Sequence, residues 1–536
     1  MAVFFNTSSK KDRVKVITKS TFLSFSIISA LLLLVEPIAA QQPDISSTQK
    51  KAIAELSALP DISVTLADGI SSKESFSVKL EAELGSSGNL ELFGTLSANS
   101  DGAYAPALAN LPGGDFGTIY FLMEEGGLRT NLGPVLLEAG RIRHYDEVQG
   151  PYSLFVNSGG ITAPLIRMRY EDERFIYESR WIELNRNSLA PDPDGTLNPD
   201  GVAEHPAWQN GYPDRGANLK IYAFKFGAMR FGFQDAAVYS GRSFDMEYFL
   251  NPIPQYFIQY GRGTPGSPWA EDSNDNDMIG AFWDLTSDDG EYIAVQAFMD
   301  DFNIHFISAS TSWQPWKAGM SLRAAKETSW GRFGFSTAGV TKYSFEPIDM
   351  KNLDISGEWW KSAYGYTYFP DTRFDIEKDN AIIIWEPISP ERNMFGYLNG
   401  ENSFAFQTDW KNEFGNLSMD ALIEFRLTGA QSPANPWQDS DRNPNDGTHW
   451  IFGEPILEKK VLTKIFAVYQ LGRWRIFGSL NTGIAIDALA LELPSATSGD
   501  GLNGDGIERL IPTWIPQTGL IKTVFTVSVG MSYSIR

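Results

Sequence analysis

The chain has 536 residues, 13% of them aromatic, no cysteine, and a formal charge of −22. The missing cysteine excludes disulfides, thiolate metal sites, a catalytic thiol and a lipid-modified N-terminal cysteine, and the acidic balance speaks against a nucleic-acid partner. Length alone would suggest several soluble domains, so the domain count has to come from the residue pattern.

Lys10, Lys11, Arg13, Lys15 and Lys19 precede an apolar run from Thr21 to Val35 and then Pro37-Ile38-Ala39-Ala40. This is the layout of a secretory signal peptide over residues 1–40. No later stretch reaches the roughly 18 uninterrupted apolar residues of a membrane helix, so a membrane protein made of this chain must cross with strands. Residues 41–70 are expected to form a periplasmic lead-in, in which KKAIAELSAL, with Ser46 and Ser47 as caps, reads as a short helix.

From residue 71 to 536 the dominant signal is a period of two. Phe76, Val78, Leu80, Ala82 and Leu84 alternate with Ser77, Lys79, Glu81 and Glu83. Ile166, Met168 and Tyr170 alternate with Arg167, Arg169 and Glu171, and Phe231 and Phe233 with Gly232 and Gln234. The same holds for Phe404 to Lys411, Leu417 to Phe425 and Arg473 to Ile476. The last strand, Lys522 to Arg536, sets Phe525, Val527, Val529, Met531, Tyr533 and Ile535 against small hydroxyls and Gly530. One apolar and one small polar face on strand after strand predicts a transmembrane outer-membrane antiparallel β-barrel of about 16 to 18 strands, all-β apart from the lead-in. A secreted β-sandwich is the competing architecture. Phe76 to Leu84 shares the face pattern of the closing strand and is its expected neighbour. Barrels of this kind typically end on an aromatic that the barrel-insertion machinery reads, whereas here the last aromatic is Tyr533, before Ser534-Ile535-Arg536.

Connections come in two lengths. Short turns are expected at Gly85 to Asn89, Glu124 to Gly127, Thr286 to Gly290 and Asn412 to Asn416. Long polar links run from Asn185 to Asn218, Arg262 to Asp277, Pro370 to Asn402, Thr428 to Lys460 and Pro494 to Gln517, and a barrel of this kind places its long links outside the cell.

Arg141, Arg143, Arg167 and Arg169 are candidates for a lumen-lining basic patch that could hold carboxylate or phosphate by forked hydrogen bonds. The plainer reading pairs them with lumen Asp and Glu. Trp208, Trp269, Trp437, Trp450 and Trp514 fall in the long links, where they could stack on sugar rings or sit at a membrane interface. The acidic stretches Asp192 to Gly201 and Asp439 to Gly447 do not fit an EF-hand; in the second, Pro444 stands where the glycine is required. Only His144, His205, His305 and His449 are present and none pairs at zinc spacing. Adjacent Asp300 and Asp301 would point to opposite faces of a strand. No catalysis, metal or cofactor is therefore expected.

The run AGRIR at Ala139 to Arg143, GPYSLFVNS at Gly150 to Ser158, Asn251-Pro252, NDNDMIGAFWDL at Asn274 to Leu285, QAFMDDF at Gln296 to Phe302 and GEPILEKKVLTKIFAVYQL at Gly453 to Leu471 occur in an order that resembles the Wzi-type capsule-assembly family. The family often has a tryptophan just before its Gly-Pro, where this chain has Val148-Gln149. The resemblance implies an outer-membrane barrel of about 18 strands that binds surface polysaccharide. Outer-membrane lipid and that polysaccharide are then the expected partners. A general or substrate-selective diffusion porin is the first alternative function, and a barrel hydrolase the third.

Overall fold

The computed structural model describes residues 48–65, 69–86, 90–100, 113–116, 119–148, 150–157, 162–186, 214–264, 266, 268, 270, 275–300, 317–346, 365–368, 373–378, 382–387, 393–431, 451–492 and 513–535. The expected signal peptide lies outside them. Residues from Lys51 onward, apart from Gly85–Gly88, form one compact unit.

The strands are β1 (Thr48–Thr65), β2 (Gly69–Ser86), β3 (Leu90–Asn99), β4 (Gly113–Phe116), β5 (Ile119–Leu132), β6 (Val135–Arg143), β7 (Thr162–Glu171) and β8 (Phe175–Asn185). Then come β9 (Arg215–Phe226), β10 (Met229–Ser240), the helices α1 (Met246–Leu250) and α2 (Gln255–Arg262), and β11 (Asp275–Thr286), β12 (Tyr292–Asp300), β13 (Ala318–Thr328) and β14 (Gly331–Val340). After β15 (Arg373–Lys378) and β16 (Ile382–Pro387) the chain continues through β17 (Ser403–Phe414), β18 (Leu417–Thr428), β19 (Glu458–Leu471), β20 (Trp474–Ile486), β21 (Leu489–Glu492), β22 (Thr513–Pro516) and β23 (Ile521–Ile535). Nineteen strands join one sheet, while β15–β16, inside the link from Pro370 to Asn402, and β21–β22 are separate two-stranded ribbons. From β3 to β23 the long strands pair antiparallel with their sequence neighbours.

Exposure follows the expected alternation. On β9 and β10 Leu219, Ile221, Ala223, Ala236 and Val238 are fully buried, whereas Phe224 and Phe231, on the opposite parity, are 53% and 55% exposed. On β23 Phe525, Val529 and Met531 are exposed and Ser532 is buried. Large apolar side chains thus stand exposed along one face of the strands, where a soluble sandwich would cover them. The inner face carries one cluster that draws on every long strand from β6 to β14 and on β17. Neighbouring strands lie about 4.8 Å apart, so contacts between adjacent strands make this cluster continuous along the face.

Three sequence expectations change. Thr48–Thr65, read from Lys50 to Leu59 as a helix, is strand β1, paired with β23 from Ala54↔Ile535 to Val64↔Phe525. The free edge of β23 offers a ladder that a short isolated helix lacks. Phe76 to Leu84 consequently lies one strand further along, in β2, which pairs with β1 and β3. Glu124 to Gly127 is not a turn but the middle of β5, beside a bulge at Thr95/Leu96. There the glycines serve close backbone approach. A Cβ on Gly140, whose φ is 149°, would stand 2.3 Å from the Gly126 carbonyl oxygen. The real turn comes at Gly133. The turns at Thr286 to Gly290 and Asn412 to Asn416 fall where expected.

Candidate functional site

After Arg143 the chain leaves β6 and runs along the inner face of the sheet as the segment His144 to Asn157. Apolar residues at its far end and a carboxylate near its start hold it there. Leu154, Phe155 and Val156 are fully buried. Phe155 packs edge-on to Phe298 of β12 at 6.2 Å, and Phe298 meets Phe345, which stacks on Tyr366. Burying three such side chains contributes several kcal/mol of apolar transfer.

The backbone of the segment has no strand partner, so its polar groups need side chains. Asp146 Oδ2 accepts from Phe155 N at 2.9 Å and Val156 N at 3.3 Å, and Oδ1 accepts from Gln234 Nε2 at 2.7 Å. Gln296 Oε1 accepts from Leu154 N at 2.9 Å while its amide donates to Asp146 and to Gln234. Burial pushes the Asp146 carboxyl above its ordinary range, and the donors Gln234, Phe155 and Gln296 pull it back. The far end is fastened by Asn157 N to the Phe395 carbonyl at 2.7 Å, Asn157 Nδ2 to the Met394 carbonyl at 3.0 Å and Tyr366 OH to the Phe155 carbonyl at 2.7 Å. Tyr152 OH donates to Glu424 of β18 at 3.1 Å. The segment therefore spans from β7 to β18 across the interior.

A ladder of ion pairs anchors the other side. Arg129 Nε meets Glu138 at 2.6 Å, and Arg167 bridges Glu138 at 3.1 Å and Glu178 at 2.6 Å. Arg169 bridges Glu178 at 2.9 Å and Glu147 of the segment at 2.7 Å, and Arg230 links Glu147 to Asp284. The strands are registered for this: Glu138 faces Arg167, and Arg169 faces Glu178. Arg180 also holds Glu178 and donates to the Tyr145 carbonyl at 2.8 Å. Guanidinium groups so engaged would have to give up internal partners to take a ligand carboxylate, so the ladder serves to position the segment.

The four candidate arginines are thereby divided. Arg167 and Arg169 lie on the inner face within the ladder. Arg141 faces Pro164 and Arg143 faces Thr162, one residue out of phase with Glu138, so both lie on the outer face and away from the expected lumen patch. Arg141 Nη1 donates to the Thr162 carbonyl at 3.3 Å and Arg143 lies 3.7 Å from Glu125. Trp514 is in β22, its backbone bonded both ways with Gln431. Trp208, Trp269, Trp437 and Trp450 lie outside the described residues, as do His205, His305, His449, Asp301 and both acidic stretches. His144 Nε2 meets Tyr368 OH at 2.7 Å, and Asp300 lies 3.3 Å from Lys317 Nζ.

Asp146, Gln234 and Gln296 do not stand out in the sequence, although Gln234 is visible there as a polar residue on the inward parity. Three of the stretches that carry the family resemblance meet in space. Gly150 to Asn157 is the segment itself, Gly280 in NDNDMIGAFWDL lies beneath Phe155, and Gln296 and Phe298 in QAFMDDF clamp it. A Cβ on Gly280 would stand 2.0 Å from the Ala297 carbonyl oxygen and 2.8 Å from the Phe155 ring. Gly280→Val is therefore expected to cost about 1–3 kcal/mol or more through overpacking, lowering the midpoint of heat-induced loss of the compact species on gels. Gly261→Ala, with open space around it, should leave that midpoint in place.

No family model matches the chain and no curated protein matches it. Among solved structures it is similar to Wzi, an outer-membrane protein involved in group 1 capsule assembly in Escherichia coli and described as a carbohydrate-binding β-barrel. The identity is 8% over 89% of this chain and 83% of that one, with a TM-score of 0.46. It is also similar to Acinetobacter baumannii OccAB4, at 7% identity over 92% and 100% with a TM-score of 0.43. For Pseudomonas aeruginosa OpdO the identity is 9% over 91% and 97%, with a TM-score of 0.43.

Proposed function

We propose that the chain is an outer-membrane β-barrel, closed through β1 between β2 and β23, which holds polysaccharide at the cell surface and does not conduct solutes. The observation that carries this reading is the segment His144 to Asn157, seated across the interior with Leu154, Phe155 and Val156 fully buried. A diffusion pore needs a wet path through its lumen, whereas here the inner face from β6 to β14 carries an apolar cluster and a ladder of paired charges. The outward apolar band supports the membrane setting, and the pairing of β1 with β2 and with β23 supports closure. Polysaccharide as the cargo rests on the resemblance to the capsule-assembly family and on the tryptophans of the long links, Trp208, Trp269, Trp437, Trp450 and Trp514, whose flat faces suit sugar rings edged with hydroxyls.

In planar bilayers the purified full-length protein should give no stable conductance steps, and deletion of Gly150 to Asn157 should produce them. A stable open channel from the intact protein overturns the reading in favour of a porin. In a deletion strain the surface layer should be shed while its synthesis continues; a surface layer that stays in place removes the polysaccharide part.

A further inference from the structure

Strands β8 to β11 carry an unusual outer face at the end near the long links. Toward the short turn at Gly227–Ala228 it is apolar, with Phe224, Phe226 and Phe231 exposed. Further along the same parity come Lys220, Asp235 and Asp277, all buried. Asp235 is six residues beyond Met229, which at about 3.3 Å per residue and a tilt of about 40° places it about 15 Å from the turn, inside an apolar band about 25 Å tall. A lysine exposed to lipid at mid-membrane costs about 2–4 kcal/mol, so bare side chains of this kind would not be tolerated there.

What covers them is the pair α1 and α2. Lys220 Nζ donates to the carbonyls of Asn251 and, at 2.6 Å, Ile253; Asp235 accepts from Gln255 N at the start of α2. Ser179 Oγ donates to the Phe249 carbonyl at 2.6 Å, Tyr222 OH to the Pro252 carbonyl at 2.7 Å and Trp181 Nε1 to the Ser243 carbonyl at 2.6 Å. Asp245 caps α1 and holds Arg262 of α2 at 2.6 Å. The polar outer face of the strands thus serves to fasten two helices side-on.

The side of the pair turned away from the sheet is mainly apolar, its exposed Glu247 being paired with Arg262 at 2.8 Å. Met246, Leu250, Ile253, Phe257 and Tyr260 recur at helical spacing, and Phe257 and Tyr260 are 62% and 70% exposed. Water would leave five large side chains uncovered in one row, which a soluble surface rarely tolerates. The row continues the apolar band of Phe224, Phe226 and Phe231. We infer that α1 and α2 form a cover whose outer row, Met246, Leu250, Ile253, Phe257 and Tyr260, is seated in the hydrocarbon of the membrane and extends the lipid-facing band over a polar patch of the barrel wall. This rests on the barrel reading of the proposed function.

Because the chain has no cysteine, single nitroxide labels can be placed without background. In lipid vesicles, Phe257→Cys and Phe231→Cys should both respond to oxygen and show no broadening by a water-soluble nickel chelate, while Ala228→Cys in the turn should be broadened by it. If position 257 is reached by the chelate and position 231 is not, the cover lies in water and the inference fails while the barrel stands. Exposure of both to the chelate overturns the barrel reading and this one together. Phe257→Leu, which keeps the apolar row, should retain the vesicle-inserted fraction of the parent, and Phe257→Lys should lose a large part of it; equal insertion of the two counts against lipid contact at this position.

Discussion

Glu178→Ala is expected to destabilise the folded protein by about 3–5 kcal/mol, the cost of leaving buried charge without its partner. Glu178 is fully buried and takes Arg167 at 2.6 Å and Arg169 at 2.9 Å, with Arg180 on its other oxygen. Its removal strands several guanidinium groups at once, and Arg180 is almost as deeply buried. The effect should appear as a lower urea midpoint of the heat-modifiable species, with Glu178→Gln intermediate because the amide keeps one acceptor. Replacing Glu291, which pairs with the exposed Lys326 away from the ladder, should move the midpoint little, as surface pairs are worth about 0–1 kcal/mol. A Glu178→Ala protein as stable as the parent would mean that the ladder does not hold the interior together.

The second large effect is acid sensitivity from His144. Burial first, and the Arg180 guanidinium second, hold its imidazole down at about 3, against an ordinary 6.5. Above pH 6.5 the ring is neutral in folded and unfolded chains alike and adds no pH dependence. As pH falls from about 6.5 to about 3 the unfolded chain takes up the proton and the folded one does not, so stability drops at up to about 1.4 kcal/mol per unit, on the order of 4–5 kcal/mol across the window. Asp146 acts in the opposite sense: its raised carboxyl binds a proton before the unfolded chain does, so acidification through its window favours the folded state. His144→Phe gives up the bond to Tyr368 and lowers stability at neutral pH, but it should flatten the slope of stability between pH 6 and 4. Unchanged slopes in the two proteins would place the acid sensitivity elsewhere.

Much of this architecture could be read from a period of two. The faces of β7, β10, β18 and β23 follow directly from alternation, because an open outer side and a crowded interior leave little choice at each position. Pairing was less legible. The helix read between Lys50 and Leu59 gave way to β1 because the edge of β23, far off in sequence, supplies what a local pattern cannot. Glu124 to Gly127 carried turn chemistry but serves a close approach of strands, a need visible only once Gly140 is opposite. Arg141 and Arg143 were misassigned to the lumen by a single step of parity. Arg167 and Arg169 stand on the inward parity and pair there with Glu138, Glu178 and Glu147. The helices α1 and α2 fall before the link that starts at Arg262, in a stretch for which no element was expected, although Met246 and Leu250, and Phe257 and Tyr260, are spaced as on one helical face.

The segment His144 to Asn157 draws its partners from far along the chain. Leu154 waits for Gln296, 142 residues on, Asn157 for Met394, 237 residues on, and Tyr152 for Glu424, 272 residues on. A chain that assembles from its N-terminal half can complete β6 to β8 long before any of these arrive, and loop closure over such separations is slow. Seating of the segment is therefore a late event in maturation, and its arrival reports that strands as distant as β18 have found their places.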